Sequence, residues 1–246
     1  MLVYHWEPNA ASARVLIALV EKQVPFESRY VDLLAFEQHR PDYLALNPRG
    51  QVPVLVRDGE AFSESSYICE YLDEAFPEHP LMPVEPLARW RARWWQKYVD
   101  DYFAQAVSEL AWNACRPAGL GDAPAQPPTA ERRDAWAEAL AGYAPERLEA
   151  AKERVRLAVA EIENSDIFSG WLAGDAFSIG DIAVFSYACY LPRVAPELVD
   201  EATAPRTAAW LGRVAARPAV QTALAMGRSG DPYLAAAPGP ERIRWG

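Results

Sequence analysis

Residues 47–53 read Asn47-Pro48-Arg49-Gly50-Gln51-Val52-Pro53, and the apolar run Val54-Leu55-Val56 follows at once. Asn-Pro and Gly mark a turn. A proline at the head of an apolar run belongs at a strand start or edge, because it has no N–H to give a central ladder. An X-Pro bond is the one peptide bond that goes cis cheaply. A cis bond before Pro53 would turn the Val52 N–H and C=O outward, where a peptide-like ligand can pair with them as a short added strand. A trans proline that merely ends a loop is the competing reading. Just downstream, Asp58-Gly59 separates Pro53–Val56 from Glu60-Ala61-Phe62-Ser63, the pattern of a tight hairpin.

Working outward from this hairpin, Leu2–Trp6 is a short β-prone run, and Ala10–Lys22 carries Val15, Leu16, Leu19 and Val20 at helical spacing. Phe26–Val31 reads as a second strand, Pro41–Leu46 as a short helix, and Ser66–Phe76 as a helix with Ile68, Leu72 and Phe76 in register. The order β-α-β, α, hairpin, α implies a mixed sheet with helices on its faces. Composition then shifts: Pro77, Pro80, Pro83 and Pro86 fall within ten residues, which reads as a linker. Beyond it everything is helical in pattern: Leu87–Cys115 as one long helix, then Ala130–Ala141, Pro145–Asn164, Ile179–Leu191, Ala204–Arg217 and Ala219–Met226. Ile179–Leu191 is apolar and without a basic residue, so it belongs in the middle of its domain. Residues 119–129, rich in Pro, Gly and Ala, read as a loop, and the tail after Gly227 as irregular. The fold class is therefore α/β plus all-α, with an α/β domain over residues 1–80 and a helical bundle domain over 87–230.

The bulk numbers narrow the function. The chain has 246 residues, 51% hydrophobic and 24% charged, an ordinary globular balance. Its net charge of −10, with basic residues interleaved among acids, gives nucleic acid or an anionic membrane nothing to grip. No apolar run approaches the roughly 18 residues of a membrane span, and no secretory signal opens the chain. Cys69, Cys115 and Cys189 are scattered, which reads as reduced thiols in a cytoplasmic protein and excludes a disulfide frame or a metal site.

Three local patterns bear on chemistry. The Val52 edge is the first. The second is Ser63-Glu64-Ser65-Ser66, where a strand gives way to a helix. Ser65 reads as an N-cap, the first turn offers unpaired N–H groups to a carboxylate, and Glu64 offers a negative charge to an ammonium group. The third is Pro8-Asn9-Ala10-Ala11-Ser12, which joins the first strand to the first helix. A hydroxyl there, with the helix dipole, favours an anion and raises the thiolate fraction of a nearby thiol. For Asn9, Ser12 and Ser65, plain helix capping is the competing reading.

Together, in this order and spacing, these motifs resemble the glutathione transferase superfamily. Ser178-Ile179-Gly180-Asp181 is similar to that family's capping box in the helical domain. The resemblance spans essentially the whole chain and is strongest over residues 36–76. It implies a thioredoxin-like N-terminal domain with a cis Pro53 and glutathione as co-substrate. Val52, with Gln51 beside it, would pair with the cysteinyl backbone, and Glu64 and Ser65 would hold the γ-glutamyl end. Gln38, His39 and Arg49 are candidates for the glycyl end, while Ser12 and Asn9 are candidates for stabilising the thiolate.

Within the superfamily, Phe36-Glu37-Gln38-His39, the 47–53 turn, Ile68-Cys69-Glu70-Tyr71-Leu72 and Tyr98–Phe103 are similar to bacterial glutathione-dependent β-aryl etherases. Those enzymes act in lignin degradation on aryl ketones. Ala11, where the etherase pattern carries an amide residue, is a departure. The resemblance implies a small aromatic or hydrophobic electrophile as substrate, a homodimer, and an aromatic acceptor pocket. Trp6, Trp94, Tyr98, Tyr102 and Trp112 are the candidates to line it, with core packing as the competing reading for each. A general detoxifying transferase, a dehalogenase, or a non-catalytic partner-binding protein of the same fold are the alternatives.

Overall fold

The computed structural model describes residues 1–115, 129–165 and 170–230. The expected loop over 119–128 and the tail beyond residue 230 lie outside the described residues. The first part runs β1 (Leu2–His5), α1 (Ala10–Glu21), β2 (Glu27–Tyr30), α2 (Pro41–Leu46), β3 (Val54–Arg57), β4 (Glu60–Phe62) and α3 (Ser65–Ala75). The sheet order is β2-β1-β3-β4. β1 pairs parallel with β2 across the α1 crossover, Val3 opposite Ser28, and antiparallel with β3, Val3 opposite Leu55. The β3–β4 hairpin turns at Asp58 and Gly59, both at positive φ (53° and 88°), the backbone that a twisted two-residue turn demands. This is the thioredoxin-like mixed sheet that the sequence implied.

α1 is buried almost all round, from Val15 through Leu19, because it is wedged between the sheet unit and the helical unit. A helix apolar on every face has no solvent side to spare.

The helical part comprises α4 (Pro86–Tyr98), a π-helical turn (Val99–Phe103), α5 (Ala104–Cys115), α6 (Ala130–Ala141), α7 (Pro145–Asn164), α8 (Ile179–Ala188), α9 (Leu191–Val194), α10 (Pro205–Ala215) and α11 (Pro218–Leu224). The single helix expected over 87–115 is thus interrupted in register. The Ala104 N–H bonds to the Val99 carbonyl, five residues back. A π-turn inserts one residue into the helical repeat and rotates all that follows by about 100°. Trp112 is thereby taken off the face that carries Trp94 and Tyr98. The helix expected to reach Leu191 stops at Ala188, and a short turn leads into α9, with Pro192 in its first turn.

Two polar knots fix the arrangement. The Ser178 hydroxyl accepts the Gly180 N–H (3.2 Å) while Asp181 accepts the Ser178 N–H (3.0 Å), the expected capping box. Asp181 also takes the Leu172 N–H and the Trp210 indole N–H, both at 2.9 Å, so it anchors three segments at once. The linker is pinned in the same way. Asp73 accepts the Leu81 and Met82 N–H groups and the Lys22 ammonium.

Glu7, buried just before α1, accepts the Tyr30 hydroxyl (2.6 Å), the Arg228 and Ser229 N–H groups (3.0 and 3.1 Å) and the Ser229 hydroxyl (2.9 Å). The last described residues are thereby bound to the loop that follows β1.

Candidate active site

A cavity of about 790 Å³ opens between the two parts of the molecule. Its sheet-side wall is Asn47, Gly50–Pro53 and Ser63–Tyr67; Ala11 closes one end at the start of α1. The helical side brings Arg93, Gln96, Lys97, Asp100 and Asp101 from α4 and the π-turn, Ser108 from α5, and Tyr187 from α8.

The sheet-side wall follows from local sequence. Asn47 folds the turn: its carbonyl accepts the Gly50 N–H (2.8 Å) and its side-chain oxygen accepts the Arg49 N–H (3.1 Å). Gly50 has φ +58°, and a Cβ there would lie 2.8 Å from the Gln38 carbonyl oxygen, so no other residue fits without moving the backbone. The Tyr43 hydroxyl (2.7 Å) and the Asn47 amide (2.9 Å) both donate to the Gln51 carbonyl and hold the peptide that precedes Val52. The Val52–Pro53 bond is cis. Among the described residues, neither the N–H nor the C=O of Val52 joins a backbone hydrogen bond. Val52 lines the cavity.

At the other end of this wall, α3 begins at Ser65 itself, with Glu64 in the N-cap position and no side-chain cap. Ser65 is therefore the first helical residue, where the sequence had read it as the cap. Glu64 adopts φ 68° and its carboxylate pairs with the Arg49 guanidinium. Arg49, expected at the glycyl end, is thus paired with Glu64, the residue expected at the γ-glutamyl end. Ser66, one residue on, donates to Asp100 (2.5 Å) and accepts from Arg14 (2.7 Å), and Arg14 also binds Asp100 at 2.6 Å. Arg14 is 1% exposed, and the three residues join α1, α3 and the π-turn.

Gln38 and His39 are not in the cavity lining. Gln38 is fully buried, donating to the Leu33 carbonyl. The His39 ring meets Arg132 of α6 (3.2 Å), and the same guanidinium donates to the Arg49 carbonyl. α6 thus clasps the loop that carries the 47–53 turn. Phe36 reinforces it by packing on Trp136 (ring centroids 4.9 Å), which in turn meets Trp112 (5.6 Å).

Ser12 is buried (3% exposed), its oxygen accepting the Trp6 N–H at 3.1 Å; Ala11 is the α1 residue on the cavity wall. Asn9 occupies the N-cap position of α1 without a side-chain capping bond.

The aromatic expectation is corrected: none of Trp6, Trp94, Tyr98, Tyr102 and Trp112 is among the residues lining this cavity. Trp6 packs with Val31, Leu33, Tyr43 and Val54, and Trp112 with Phe36, Trp136 and Tyr143, its indole N–H donating to the Ala139 carbonyl. Trp94 stacks on Tyr98 (5.0 Å, 14°), and Tyr98 meets Tyr102 at a tilt (5.3 Å, 43°), a ladder one helical face away from Arg93, Lys97 and Asp100. Helical spacing found the ladder but not its direction. Arg14, Asp100, Ser108 and Tyr187, which the sequence reading did not single out for the site, stand in or behind the wall. The one available signal was Arg14, the only charge in the otherwise apolar Ala10–Val20.

A thioredoxin-like sheet with an outward Val52 edge, an uncapped helix start behind Glu64, and a helical domain across the cleft together define a glutathione-using transferase. The chain belongs to the glutathione S-transferase family. Residues 10–75 match the model of the glutathione S-transferase N-terminal domain, and residues 126–218 that of the C-terminal domain. It is similar to protein LigF of Sphingobium sp. strain SYK-6, at 35% identity over 233 residues, 89% of this chain and 91% of that protein. The crystal structure of the beta-etherase LigF superposes with a TM-score of 0.81 and 33% identity, covering 91% of this chain and 98% of that one. A maleylacetoacetate isomerase of Pseudomonas aeruginosa is 42% identical over 96 residues, 38% of this chain and 45% of that protein.

Proposed function

We propose that this protein is a glutathione-dependent etherase that cleaves β-aryl ethers of lignin-derived ketones. The observation that carries this reading is the likeness to LigF along nearly the full length of both chains. Glutathione would lie along the sheet-side wall, its cysteinyl backbone on Val52 beside Gln51 and Pro53. Its γ-glutamyl carboxylate would meet the first turn of α3 at Ser65 and its ammonium Glu64, with Arg49 close by. His39 and Gln38 would act from behind, through the loop that shapes the glycyl end. The sulfur would rest at the start of α1, where the helix dipole, the Ser12 hydroxyl and Asn9 favour the thiolate.

The thiolate attacks the carbon between the ketone and the ether oxygen. A C–S bond forms, the C–O bond breaks, and a phenolate leaves. A phenol of pKa near 10 is a workable leaving group at neutral pH, so the demands on the protein are ionisation of the thiol and alignment.

No described helix is long and apolar enough to cross a membrane; the proposed setting is cytoplasmic. The proposed assembly is a homodimer. Its contact face would include Tyr67, Leu87 and Trp90, large apolar side chains left 73%, 52% and 59% exposed on α3 and α4.

The deciding assay incubates the protein with a fluorogenic β-aryl ether ketone and, separately, with chloro-dinitrobenzene, each with and without glutathione. Glutathione-dependent release of phenol is the expected result. Turnover of chloro-dinitrobenzene alone would replace the etherase reading with that of a general transferase.

A further inference from the structure

Tyr187 and Ser108 are the hydroxyl residues that the helical side contributes to the cavity lining. They are 6% and 7% exposed as whole residues, and both line the cavity. A hydroxyl on a cavity wall can donate to or accept from a ligand that enters there. The Arg14 guanidinium, held charged by Asp100, lies 5.4 Å from the centroid of the Tyr187 ring. Arg14 is one turn along α1 from Ala11, so Tyr187 stands near the sulfur end of the cavity, on the helical side.

Direction decides the role. Displacement at carbon is in line: the sulfur arrives from the side of Val52 and α1, and the departing oxygen is driven away from it, toward the helical side. We propose that Tyr187 is a catalytic residue that donates its hydroxyl hydrogen to the departing aryloxy oxygen. This rests on the etherase reading above.

The step balances. The sulfur lone pair forms the C–S bond, and the C–O bonding pair leaves on the aryloxy oxygen. That oxygen takes the Tyr187 proton, and water restores it to the tyrosinate. The proton that glutathione lost on ionising has gone to solvent, so glutathione plus ether gives thioether plus phenol.

The test compares wild type and Tyr187→Phe on two ethers of the same ketone. One releases a nitrophenol, acidic enough to leave unaided; the other releases an ordinary methoxyphenol. The expected result is a fall in kcat/KM of about ten- to a hundredfold for the methoxyphenyl ether, the worth of one hydrogen bond to a developing anion. For the nitrophenyl ether the expected fall is under about threefold. The ratio is taken within one preparation, so any loss of folded enzyme cancels. An equal fall for both ethers, or none, would overturn the role of Tyr187 while leaving the etherase reading standing. A wild type that releases neither phenol would overturn the etherase reading itself and the role with it.

Discussion

The two walls of the cavity are made differently. The sheet-side wall is two short runs of chain, Asn47–Pro53 and Ser63–Tyr67, whose shape is dictated by their own residues: an Asn turn, a glycine at positive φ, a proline at a strand start, an uncapped helix opening. The helical wall collects side chains from α4, the π-turn, α5 and α8, which only the crossing of those helices brings together. Under the proposed function, the wall assigned to the co-substrate is written locally, and the wall assigned to the acceptor is written in how helices cross. Such a division lets one wall change while the other is kept.

The largest blow to this contrast comes from the aromatic residues that join the two parts. Trp112 is 1% exposed and shares a cluster with Phe36 from the sheet side. Trp112→Ala is expected to cost about 3–5 kcal/mol of stability in urea melts, the range for a fully buried large aromatic. Trp94→Ala, half-buried on the outer ladder, is expected to cost under about half of that. Equal costs would mean that the ladder, not the Phe36 cluster, holds the parts together.

A smaller effect isolates the clasp. Arg132→Ala removes the guanidinium that binds the Arg49 carbonyl and the His39 ring. The KM for glutathione is expected to rise about tenfold, with the KM for the acceptor unchanged, because one charge-assisted bond that fixes the loop is lost. Arg132→Lys should recover only part, since an ammonium lacks the fork that reaches both partners. A rise in both KM values would show that α6 serves the whole cavity and would erase the distinction between the walls.

The smallest effect reads the sheet side alone. His5 is fully buried with both ring nitrogens engaged, one by the Trp6 carbonyl and one by the Ser28 hydroxyl, each at 2.6 Å. Burial holds its pKa below the ordinary 6.5, so the folded ring stays neutral where the unfolded ring gains a proton. Stability is then full above pH 6.5 and falls as the pH drops below it, by at most about 1.4 kcal/mol per pH unit. Urea melts at pH 7.5 and 5.5 should show the loss, and His5→Gln should flatten it.

How much was readable in advance follows the same division. The 47–53 turn, the hairpin at Asp58-Gly59 and the Ser178–Asp181 box were legible because each is decided within a few residues. Trp94, Tyr98 and Tyr102 were rightly grouped, since a helix places i and i+4 side by side. Which way that group faces was not legible, because it depends on the π-turn and on what packs against α4. Arg14 and Tyr187 were hidden for the same reason: they meet only when α1 and α8 cross. The charge of Arg14, set among the apolar residues Ala13–Val20, was nevertheless a clue that a buried partner waits elsewhere in the chain.

Glu7 carries the last consequence. By gripping residues 228 and 229 it closes the polypeptide into a loop whose clasp sits two positions from Asn9. A chain cut after Met226 would strip this carboxylate of three donors and leave it the Tyr30 hydroxyl alone under the turn that opens α1. Under the proposed function such damage would surface first where the sulfur rests, so residues 228 and 229 would help to keep the start of α1 in shape.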